Sequence, residues 1–373
     1  MKVLHLISGG DTGGAKTHII SLMKQLKKLM DAKVICFMKD TFYEDALKAG
    51  IDIQVFEQKK RTDLSIVEKL TKEILREEYD IIHCHGARAN FIGMFLKKKI
   101  SKPMITTIHS DYRLDFKDNL YKRFIFTPLN AIALRKFDYY VAISQDFKEM
   151  LEARGFDSKK IFIVYNGIDL DSQPDYVSKE DFFHRYNIDF KGKKIIGIMA
   201  RLDAVKDHET FIKAAQKVLT KRKDVLFLIA GSGNEEDRLK TLANELGVGD
   251  RVHFLGYVRD PYSFYNAIDI NVLTSISESF PYVILEGARF KKPIITTNVG
   301  GISHLVKDGY NGYLIKAKDS ESLAYRIISL IGNEENIETM GRNLYQCVSD
   351  SFSSRNMAEK HKEIYEYIIE KFH

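Results

Sequence analysis

Residues 278–286, ESFPYVILE, carry two glutamates, Glu278 and Glu286, with seven residues between them. The first stands where a loop is predicted to end, and the second lies about two turns into the helix predicted to follow, near the same face. Pro281 suits the first helical position, because its missing N–H has no helical partner there. The free N–H groups from Ser279 onwards attract anions, above all phosphate. A carboxylate beside such a helix end suits a ligand that carries both phosphate and sugar hydroxyls.

The flanks of this stretch predict an open parallel sheet. Residues 270–273 are short and apolar, as in a strand, and residues 293–297 read as a further strand that ends in the glycine-rich turn 299–301. Open α/β sheets bind ligands beyond the carboxyl ends of their strands. The flanks therefore favour a binding site, although two glutamates at this spacing are more often part of a solvated helix face.

Short apolar segments alternate with helix-like segments along the whole chain, which is typical of parallel sheets covered on both faces. The predicted strands are 3–7, 33–37, 52–56, 80–84, 104–108, 139–143, 161–165, 194–200, 225–230, 251–255, 268–273, 293–297 and 312–315. Predicted helices in the first half lie near 15–29, 64–77, 87–99, 115–137 and 145–153.

The alternation pauses once, at the polar stretch 166–180, which reads as a linker. A chain of 373 residues is long enough for two hydrophobic cores. We therefore predict an α/β protein with two doubly wound, Rossmann-like domains of similar size, 1–170 and 171–353. The final segment, about 354–373, is predicted to be a helix with Ser354 as its N-cap.

The composition is that of an ordinary globular protein, with 45% hydrophobic residues. Three widely spaced cysteines do not form a disulfide framework, so a reducing cytoplasm is expected. The N-terminus leads directly into a strand with no secretory signal before it, and no apolar stretch is long enough to span a bilayer.

The net charge of +6 is concentrated in the first half: residues 1–180 hold 30 Lys and Arg against 25 Asp and Glu, and the remainder hold 27 against 26. The basic clusters are Lys97, Lys98, Lys99 and Lys102, and Lys117, Lys122, Arg123, Arg135 and Lys136. Residues 114–137 mix these charges with large apolar groups, which suits an anionic membrane surface or, equally, a helix packed on its own domain. A nucleic-acid site is disfavoured because no compact motif accompanies the charge.

Three loops are candidates for ligand contacts. SGGDTGGAKTHI, at 8–19, holds four glycines that let a ligand approach the backbone, but it is neither a dinucleotide fingerprint nor a P-loop. ARLDAVKD, at 200–207, places Arg201 and Lys206 where they would neutralise a diphosphate, against the alternative of two surface cations. IAGSGNEED, at 229–237, has Glu236 where a dinucleotide fingerprint requires its third glycine, so no dinucleotide is predicted.

Histidines supply the remaining candidates. His109 follows a predicted strand, where it can donate to a sugar hydroxyl or share developing charge, although a lone histidine is more often structural. His83 and His85 lie on one face of a predicted strand and Cys84 on the other. As a zinc site this pair is incomplete, so no metal is expected.

The motifs together resemble the family-4 retaining glycosyltransferases of the GT-B fold. They run nearly end to end: GGDTGGAKTHI (9–19), DIIHCHGARAN (80–90), VAISQ (141–145), IVYNGID (163–169), ARLDAVKD (200–207), RVHFLGYV (251–258), ESFPYVILE (278–286) and PIITTNVGGISHLVKDGYNGYLI (293–315). The resemblance implies two domains that face a central cleft, a last helix that crosses back to the first domain, and a donor held mainly by the second.

Carried over by position, Arg201 and Lys206 grip the diphosphate, Glu286 binds the ribose hydroxyls, and Glu278 contacts the donor sugar. The implied nucleotide-sugar site comprises Gly13, Gly14, Arg201, Lys206, Gly256, Tyr257, Val258, Glu278, Ser279, Phe280, Pro281, Tyr282, Val283 and Glu286, and the implied catalytic residues are His109, Arg201, Lys206 and Glu278. Neither a metal nor another cofactor is expected.

Four residues depart from the family pattern. Ser279 and Pro281 replace glycines after the first glutamate, and Pro281 has no N–H to donate. Lys16 replaces a usual acidic residue, and Asp207 replaces a frequent glycine after Lys206. The changes after the first glutamate and at Lys16 affect the expected sugar and acceptor, and none of the changes removes the diphosphate cations or the glutamate pair.

The expected activity is transfer of a sugar, with retention at the anomeric carbon, from a nucleoside diphosphate sugar, with uridine as the expected base. The expected acceptor is a glycan, glycolipid or lipid-linked intermediate of cell-envelope, capsule or exopolysaccharide synthesis, at the inner face of the membrane. The alternatives are a soluble small acceptor, a nucleotide-sugar epimerase of the same fold, a phosphorylase, and a non-catalytic sugar-nucleotide-binding protein.

Overall fold

A computed structural model of the chain describes residues 1–10, 13–61, 63–113 and 120–372, with the side chains of 120–126 excepted. These residues form two compact units. One comprises Met1–Asp169 together with Ser353–His373, and the other comprises Leu170–Phe352. We refer to them as unit 1 and unit 2.

Unit 1 contains a seven-stranded parallel sheet. Its strands are β1 (Lys2–Ile7), β2 (Asp31–Cys36), β3 (Ile53–Val55), β4 (Ile81–His85), β5 (Met104–Ile108), β6 (Tyr139–Ala142) and β7 (Ile161–Ile163). They lie in the order β3-β2-β1-β4-β5-β6-β7. The direction of winding reverses between β1 and β4, which is where doubly wound sheets open a crevice at the carboxyl ends of their strands.

Helices cover both faces of this sheet. They are α1 (Gly14–Leu29), α2 (Thr41–Lys48), α3 (Ser65–Arg76), α4 (Gly86–Leu96), α5 (Leu120–Leu134), α6 (Gln145–Ala153) and, from the end of the chain, α15 (Ser354–Phe372). The sequence did not predict α2, which buries only Phe42 and Ala46 and has Asp40 as its N-cap. The first residues of the helix predicted at 115–137 lie outside the described residues.

The last helix belongs to unit 1, as predicted, and packs beside α1. Its buried side chains include Met357, Tyr365 and Ile368, which join the core around β1 and β2. The predicted N-cap at Ser354 is wrong by one position: Ser354 is already helical, and the Oγ of Ser353 accepts the N–H of Asn356 at 3.2 Å.

Unit 2 contains a six-stranded parallel sheet. Its strands are β8 (Lys194–Met199), β9 (Val225–Ala230), β10 (Val252–Gly256), β11 (Ile270–Leu273), β12 (Ile294–Thr297) and β13 (Gly312–Ile315), in the order β10-β9-β8-β11-β12-β13. The winding reverses between β8 and β11, so the loops after these two strands meet at the switch point. The candidate loop 200–207 and the segment 274–281, which carries Glu278, both begin there.

The helices of unit 2 are α7 (Lys179–Arg185), α8 (His208–Lys221), α9 (Glu236–Glu245), α10 (Pro261–Ala267), α11 (Tyr282–Arg289), α12 (Ile302–Leu305), α13 (Ser320–Ile331) and α14 (Glu334–Ser351). The predicted first helical residue of α11, Pro281, is wrong by one position. It precedes the helix in an extended conformation, with φ −76° and ψ 125°.

The spacing of apolar residues decides which helix face is buried. On α8 the buried residues include Phe211, Ile212, Ala215, Val218 and Leu219, a stripe with helical periodicity that packs on the sheet. This packing fixes the first turn of α8, and therefore the 200–207 loop that precedes it. Among the described residues, no helix combines the length and the apolar character that a membrane crossing requires.

Candidate functional site

Hydrogen bonds join the loops at the carboxyl edge of the unit 2 sheet into one continuous rim. The N–H of Gly231 donates to the carbonyl of Gly256 at 2.8 Å, and the N–H of Leu202 donates to that of Ser232 at 3.0 Å. On the other side of β8, the N–H of Ile276 donates to the carbonyl of Val205 at 2.8 Å. The loops after β8, β9, β10 and β11 therefore hold their side chains in a fixed relation.

Lys206 and Glu278 form an ion pair within this rim. The Nζ of Lys206 lies 2.6 Å from Oε1 of Glu278, and Ser275 Oγ donates to the same oxygen at 2.6 Å. The Glu278 side chain is only 9% exposed. The hydroxyl of Thr274 also donates to the carbonyl of Lys206 at 3.0 Å, so the two loops are joined by side chain and backbone alike.

The loop after β12 packs directly on Glu278. Gly300 has a φ of 55°, and a Cβ at this position would lie 1.8 Å from the carbonyl oxygen of Glu278. The N–H of Gly301 donates to the carbonyl of Ser279 at 3.0 Å. Glycine at position 300 of the 299–301 turn is thus required by backbone contact with the 278–281 segment.

Arg201 is the most accessible charge of the rim. Its side chain is 81% exposed and lies 3.0 Å from Asp203 Oδ2 in its own loop. An exposed guanidinium keeps its hydrogen-bond donors available for a bidentate contact with an anion. Lys206 and Arg201 thus bring two cations to one rim, one braced by Glu278 and one facing solvent.

Glu286 lies on α11 in a different environment from Glu278. The hydroxyl-bearing side chains of Tyr265 and Tyr282 are buried beside it, and desolvation raises the pKa of Glu286 to about 7. The Tyr265 hydroxyl opposes part of this rise. The carboxyl group therefore changes its charge near neutral pH, and a ligand hydroxyl that donates to it would favour the ionised form.

The residues implied to border a base lie at the end of β10. Gly256 has a φ of 66° and ends the strand, and the side chain of Tyr257 is 75% exposed beyond it. Val258 is half-buried and packs against the core beneath α10. An exposed aromatic ring on a fixed strand end offers a stacking surface for a planar ligand.

The remaining candidates of the second half surround the start of α11. Phe280 is buried against Phe352 with ring centroids 5.1 Å apart, and Val283 is half-buried. Phe280 thus fixes the loop from beneath. The N–H groups of Tyr282 and Val283 have no intrahelical acceptor, as at any helix start, and that of Ile284 donates to the carbonyl of Pro281 at 3.3 Å.

Asp207 occupies the backbone conformation that favours glycine. Its φ of 47° and ψ of 52° are left-handed, and its carboxylate accepts the hydroxyl of Thr210 at 2.7 Å. Aspartate is one of the few non-glycine residues that adopt this region readily. The departure from the family glycine at this position is therefore compatible with the turn that leads into α8.

In unit 1, Gly13 and Gly14 lie where α1 begins, at the carboxyl edge of the sheet. Both are exposed, and Gly13 has a φ of 69° with open space around a Cβ position. Lys16, the departure that follows them, pairs with Asp45 on α2 at 2.5 Å. Asp11 and Thr12 of the same loop lie outside the described residues.

His109 follows β5 at this same edge and is half-buried. Its Nε2 lies 3.3 Å from Nδ1 of His85, and its ring meets the ring of His18 edge-on with centroids 4.7 Å apart. Burial and the neighbouring His361 lower the pKa of His109 to about 4, so the ring is neutral at pH 7.

His109 is one of six buried or half-buried histidines that lie together. The others are His5, His18, His83, His85 and His361. His83 and His85 do share one face of β4, as predicted, and Cys84 packs in the core on the other face. The parallel register pairs His5 with His83, which sequence reasoning missed although both stand within predicted strands.

The basic clusters of unit 1 are partly neutralised. Lys97 pairs with Asp138, and Lys99 pairs with Glu68 at 2.8 Å. Arg135 is exposed and its guanidinium stands 5.0 Å from the ring centroid of Phe156. Lys117 lies outside the described residues, as do the side chains of Lys122 and Arg123.

Sequence reasoning also missed residues that position the candidates of unit 2. Ser275 and Gly300 hold Glu278, and Tyr265 lies beside Glu286. Gly300 was within the quoted glycine-rich turn, so its signal was present. Tyr265 gave no signal, because its position beside Glu286 depends on how α10 packs on α11.

Two family profiles match the chain in sequence. The profile described as Glycosyltransferase Family 4 matches residues 12–172. The profile described as Glycosyl transferases group 1 matches residues 179–346. Between them they span most of both units.

Curated proteins and solved structures are similar over most of their length. The chain is 28% identical to N-acetyl-alpha-D-glucosaminyl L-malate synthase of Bacillus anthracis, over 81% of this chain and 78% of the relative. It is 23% identical to UDP-Gal:alpha-D-GlcNAc-diphosphoundecaprenol alpha-1,3-galactosyltransferase of Escherichia coli, over 81% and 79%. The crystal structure of Anabaena HepE in complex with UDP superposes with a TM-score of 0.82 at 22% identity, covering 98% of this chain and 100% of that one.

Proposed function

Because this chain belongs to the family-4 glycosyltransferases and has the GT-B fold, we propose that it transfers a sugar from a nucleoside diphosphate sugar to a hydroxyl group, with retention at the anomeric carbon. The rim of unit 2 holds the donor. The single observation that carries this proposal is the Lys206–Glu278 pair, braced by Ser275 and flanked by the exposed Arg201.

The diphosphate is the group that this rim suits best. When the glycosidic bond breaks, negative charge develops on the leaving diphosphate, and fixed cations stabilise that charge without reorganisation. Arg201 has its donors exposed, and Lys206 needs only to exchange its contact with Glu278 for a phosphate oxygen. The N-terminus of α11 adds partial positive charge.

Two cations at the leaving group remove the need for a divalent metal in the transfer step, so we propose that this step is metal-independent. We also propose that the leaving phosphate takes the proton of the acceptor hydroxyl. Atoms and charge then balance: the bond from the anomeric carbon to the phosphate oxygen breaks, the bond to the acceptor oxygen forms, and the proton ends on the diphosphate.

The remaining rim residues bind the nucleoside and the sugar. Glu286 accepts the ribose hydroxyls, and Tyr257 contacts the base. Glu278, whose second oxygen is not used by Lys206 or Ser275 in these contacts, receives a hydroxyl of the donor sugar. In unit 1, His109 contacts the reacting sugar, and Gly13 and Gly14 admit the acceptor close to the backbone.

Uridine is the proposed base. The structure of Anabaena HepE that superposes on this chain holds UDP, and the name of the Escherichia coli relative specifies UDP-galactose as its donor. Both observations concern other proteins and support the proposal by analogy of fold and sequence.

The proposed acceptor is lipid-linked, as an intermediate of a cell-envelope, capsule or exopolysaccharide glycan. The Escherichia coli relative is named for a diphosphoundecaprenol acceptor. The excess positive charge of residues 1–180 suits a diphosphate-bearing lipid at an anionic membrane surface. A soluble acceptor is the second candidate, because the Bacillus anthracis relative is named for L-malate.

This acceptor places the protein at the cytoplasmic face of the membrane as a peripheral protein. Flotation with vesicles of anionic lipid at low and high salt tests the association. Binding that falls with salt supports it, since the attraction between basic side chains and lipid is screened. Failure to float at low salt contradicts the peripheral location but leaves the donor site untouched.

Release of the nucleoside diphosphate in the presence of a donor and an acceptor tests the transfer activity. The assay combines UDP-linked and GDP-linked sugars with a diphosphoundecaprenol-linked sugar or with malate. Arg201→Ala and Glu286→Gln are expected to lose activity, and Arg342→Ala, an exposed arginine on α14, serves as the matched control. Equal turnover in all three variants would remove the rim of unit 2 as the donor site.

Two rivals are separated by the same assay. An epimerase would convert the donor sugar with no acceptor present, which product analysis of the acceptor-free reaction detects. A non-catalytic binding protein would bind the nucleotide without releasing product under any combination. Acceptor-dependent release of the diphosphate excludes both.

A further inference from the structure

Three histidines of unit 1 present ring nitrogens to a common point. In His18, His85 and His109 one ring nitrogen from each lies within 4.8 Å of the other two. They come from α1, from the end of β4 and from the residue after β5, which meet at the carboxyl edge of the sheet. The sequence offered only His83 and His85 as a pair, because the rings of His18 and His109 come from distant segments.

His18 has a ring nitrogen that lacks a hydrogen-bond partner within the part of the chain that the structure describes. The Nδ1 of His18 lies 3.0 Å from Oδ1 of Asn166, and because an amide oxygen only accepts, Nδ1 carries the proton. The lone pair is therefore on Nε2, which is buried and has no hydrogen-bond partner among the described residues. His18 as a whole is fully buried.

In His85, likewise, a neighbouring residue holds one ring nitrogen and the other faces the proposed set. His85 uses Nε2 to contact Nδ1 of His5 at 3.0 Å, which leaves its Nδ1 directed at Nε2 of His109, 3.3 Å away. A tetrahedral zinc ion with Zn–N bonds of about 2.0–2.1 Å holds its nitrogens about 3.3 Å apart. The His85–His109 separation already has this value, and the third nitrogen, on His18, lies within 4.8 Å of the other two.

We propose that His18, His85 and His109 form a binding site for a divalent transition-metal ion of the zinc class. Metal-bound histidines usually donate their second ring N–H to a fixed acceptor, which orients the ring and raises its basicity. Oδ1 of Asn166 is the acceptor for His18, and Nδ1 of His5 is the acceptor for His85. Three protein nitrogens leave the fourth tetrahedral position open, and half-buried His109 gives an ion access to the site.

The neighbouring set His5, His83 and His85 also brings three nitrogens within 4.8 Å. Its rings are occupied elsewhere: His83 contacts the hydroxyl of Tyr365 at 2.6 Å and that of Thr107 at 2.7 Å, one with each nitrogen. The first set is therefore the one that offers a free lone pair.

The test uses the full-length protein after treatment with a chelator. Titration with Zn²⁺ against a chromophoric competitor is expected to give one equivalent per chain. Co²⁺ in its place is expected to give the visible spectrum of a tetrahedral nitrogen site without a thiolate charge-transfer band, which separates it from Cys36, Cys84 or Cys347. A chain that retains no stoichiometric Zn²⁺, or a thiolate band in the Co²⁺ spectrum, would overturn the proposal.

Variants locate the ion. His109→Gln is expected to abolish tight binding, and Asn166→Ala is expected to weaken it about 10- to 100-fold. Asn166→Asp keeps an acceptor on His18 and is expected to retain or tighten binding, a result that a purely structural role of the residue does not produce. His184→Ala, at an exposed histidine of unit 2, is the control. Unchanged affinity in His109→Gln would contradict the site.

The consequence for activity rests on the proposed function. An ion that occupies Nε2 of His109 withholds this nitrogen from the sugar, so Zn²⁺ is expected to inhibit transfer and a chelator to restore it. Stoichiometric Zn²⁺ binding without inhibition would support the metal site and remove His109 from the reacting centre. The binding measurement therefore tests the metal site, and the activity measurement tests the proposed role of His109, independently of each other.

Discussion

The Nζ of Lys206 lies 2.6 Å from Oε1 of Glu278, and both side chains are largely withdrawn from solvent, at 19% and 9% exposure. A buried carboxylate is stable only with its counter-charge or hydrogen-bond donors in place. The pair therefore holds both side chains in a fixed orientation. In the proposed donor complex, Lys206 contacts the phosphate instead, and Glu278 accepts a hydroxyl of the sugar.

Removing either member tests this exchange. Lys206→Ala leaves Glu278 with Ser275 as its remaining donor, and we expect a loss of about 1.5–3 kcal/mol in the free energy of unfolding of unit 2. We expect kcat/KM to fall about 100- to 1000-fold, because a fixed stabiliser of the leaving group is lost. Chemical denaturation and nucleotide-release kinetics measure the two effects.

A double-mutant cycle with Glu278→Gln provides the control. If the two residues act as a pair before the donor binds, the double variant is more stable than the sum of the single losses predicts. Strict additivity would mean that the observed contact carries no interaction energy.

The raised pKa of Glu286 predicts that the stability of unit 2 depends on pH with a sign opposite to that which most acidic residues produce. Its pKa is raised to about 7 in the folded chain, above its ordinary value of 4.5. The folded state therefore binds a proton that the unfolded state has released between these values, and stability falls as the pH rises from about 4.5 through 7. Glu286→Gln is expected to stabilise unit 2 at pH 8 by about 1–3 kcal/mol and to flatten this part of the profile.

The same variant is expected to bind the nucleotide more weakly. Ionisation of Glu286 improves it as an acceptor for ribose hydroxyls, so the affinity of the wild-type protein for UDP is expected to rise between pH 6 and pH 8. Calorimetry across this range measures it. An equal rise in Glu286→Gln would show that another group is responsible.

Gly300 is expected to be irreplaceable because of contact as well as backbone conformation. Gly300→Ala would place Cβ 1.8 Å from the carbonyl oxygen of Glu278, which only a shift of the loop relieves. Gly309→Ala is the matched control: its φ of 76° is also left-handed, but a Cβ there meets nothing within 4 Å. We expect Gly309→Ala to lower the free energy of unfolding by about 1–2 kcal/mol, which is the cost of the backbone conformation alone. We expect Gly300→Ala to lower it further and to weaken nucleotide binding as well. Equal losses would mean that the contact with Glu278 does not matter.

The thirteen strands were predictable because both sheets are parallel and covered on both faces, so that each strand is a short apolar segment in the sequence. The positions of Lys206 and Glu278 at adjoining loops followed from the reversal of strand order at β8 and β11. The short helix α2 was missed because it buries too few residues to show a helical period.

Side-chain contacts that depend on helix packing or on the path of a loop were not predictable in this way. Tyr265 lies beside Glu286 because α10 packs on α11, and Ser275 reaches Glu278 through the path of one loop. The histidine cluster was partly predictable, since His5, His83 and His85 lie at inward positions of adjacent strands. The part played by His361 required knowing that α15 returns to unit 1.

Acidification is expected to destabilise unit 1 more steeply than unit 2. The pKa values of His5, His109 and His361 are lowered to about 3, about 4 and about 4 by burial, and those of His18, His83 and His85 are also lowered. The unfolded chain therefore binds protons below pH 6.5 that the folded chain does not, and stability is lost as the pH falls towards 4. Each histidine contributes up to about 1.4 kcal/mol per pH unit in this window.

Hydrogen exchange resolved by peptide, at pH values from 7.5 to 5 and with a chelator present, measures this difference after correction for intrinsic exchange rates. Unit 2 buries His208, whose pKa is also lowered to about 4, and serves as the internal reference. Equal loss of protection in the two units would contradict the prediction.

Tyr257 offers the cleanest separation of binding from stability. Its side chain is 75% exposed, so Tyr257→Ala is expected to change the free energy of unfolding by less than about 0.5 kcal/mol. Loss of stacking on the base is expected to cost about 1–3 kcal/mol of nucleotide affinity. Tyr325→Ala, at another exposed tyrosine, is the control. If neither variant changes the affinity for the nucleotide, the base does not stack on Tyr257.

The most direct test of the whole account is a crystal structure of the protein with UDP bound. We predict that the two phosphates lie within hydrogen-bond distance of Arg201 and Lys206, that Lys206 has left Oε1 of Glu278, and that the ribose hydroxyls donate to Glu286. UDP bound away from the rim of unit 2, or bound there with the Lys206–Glu278 pair intact and both phosphates turned to solvent, would contradict it.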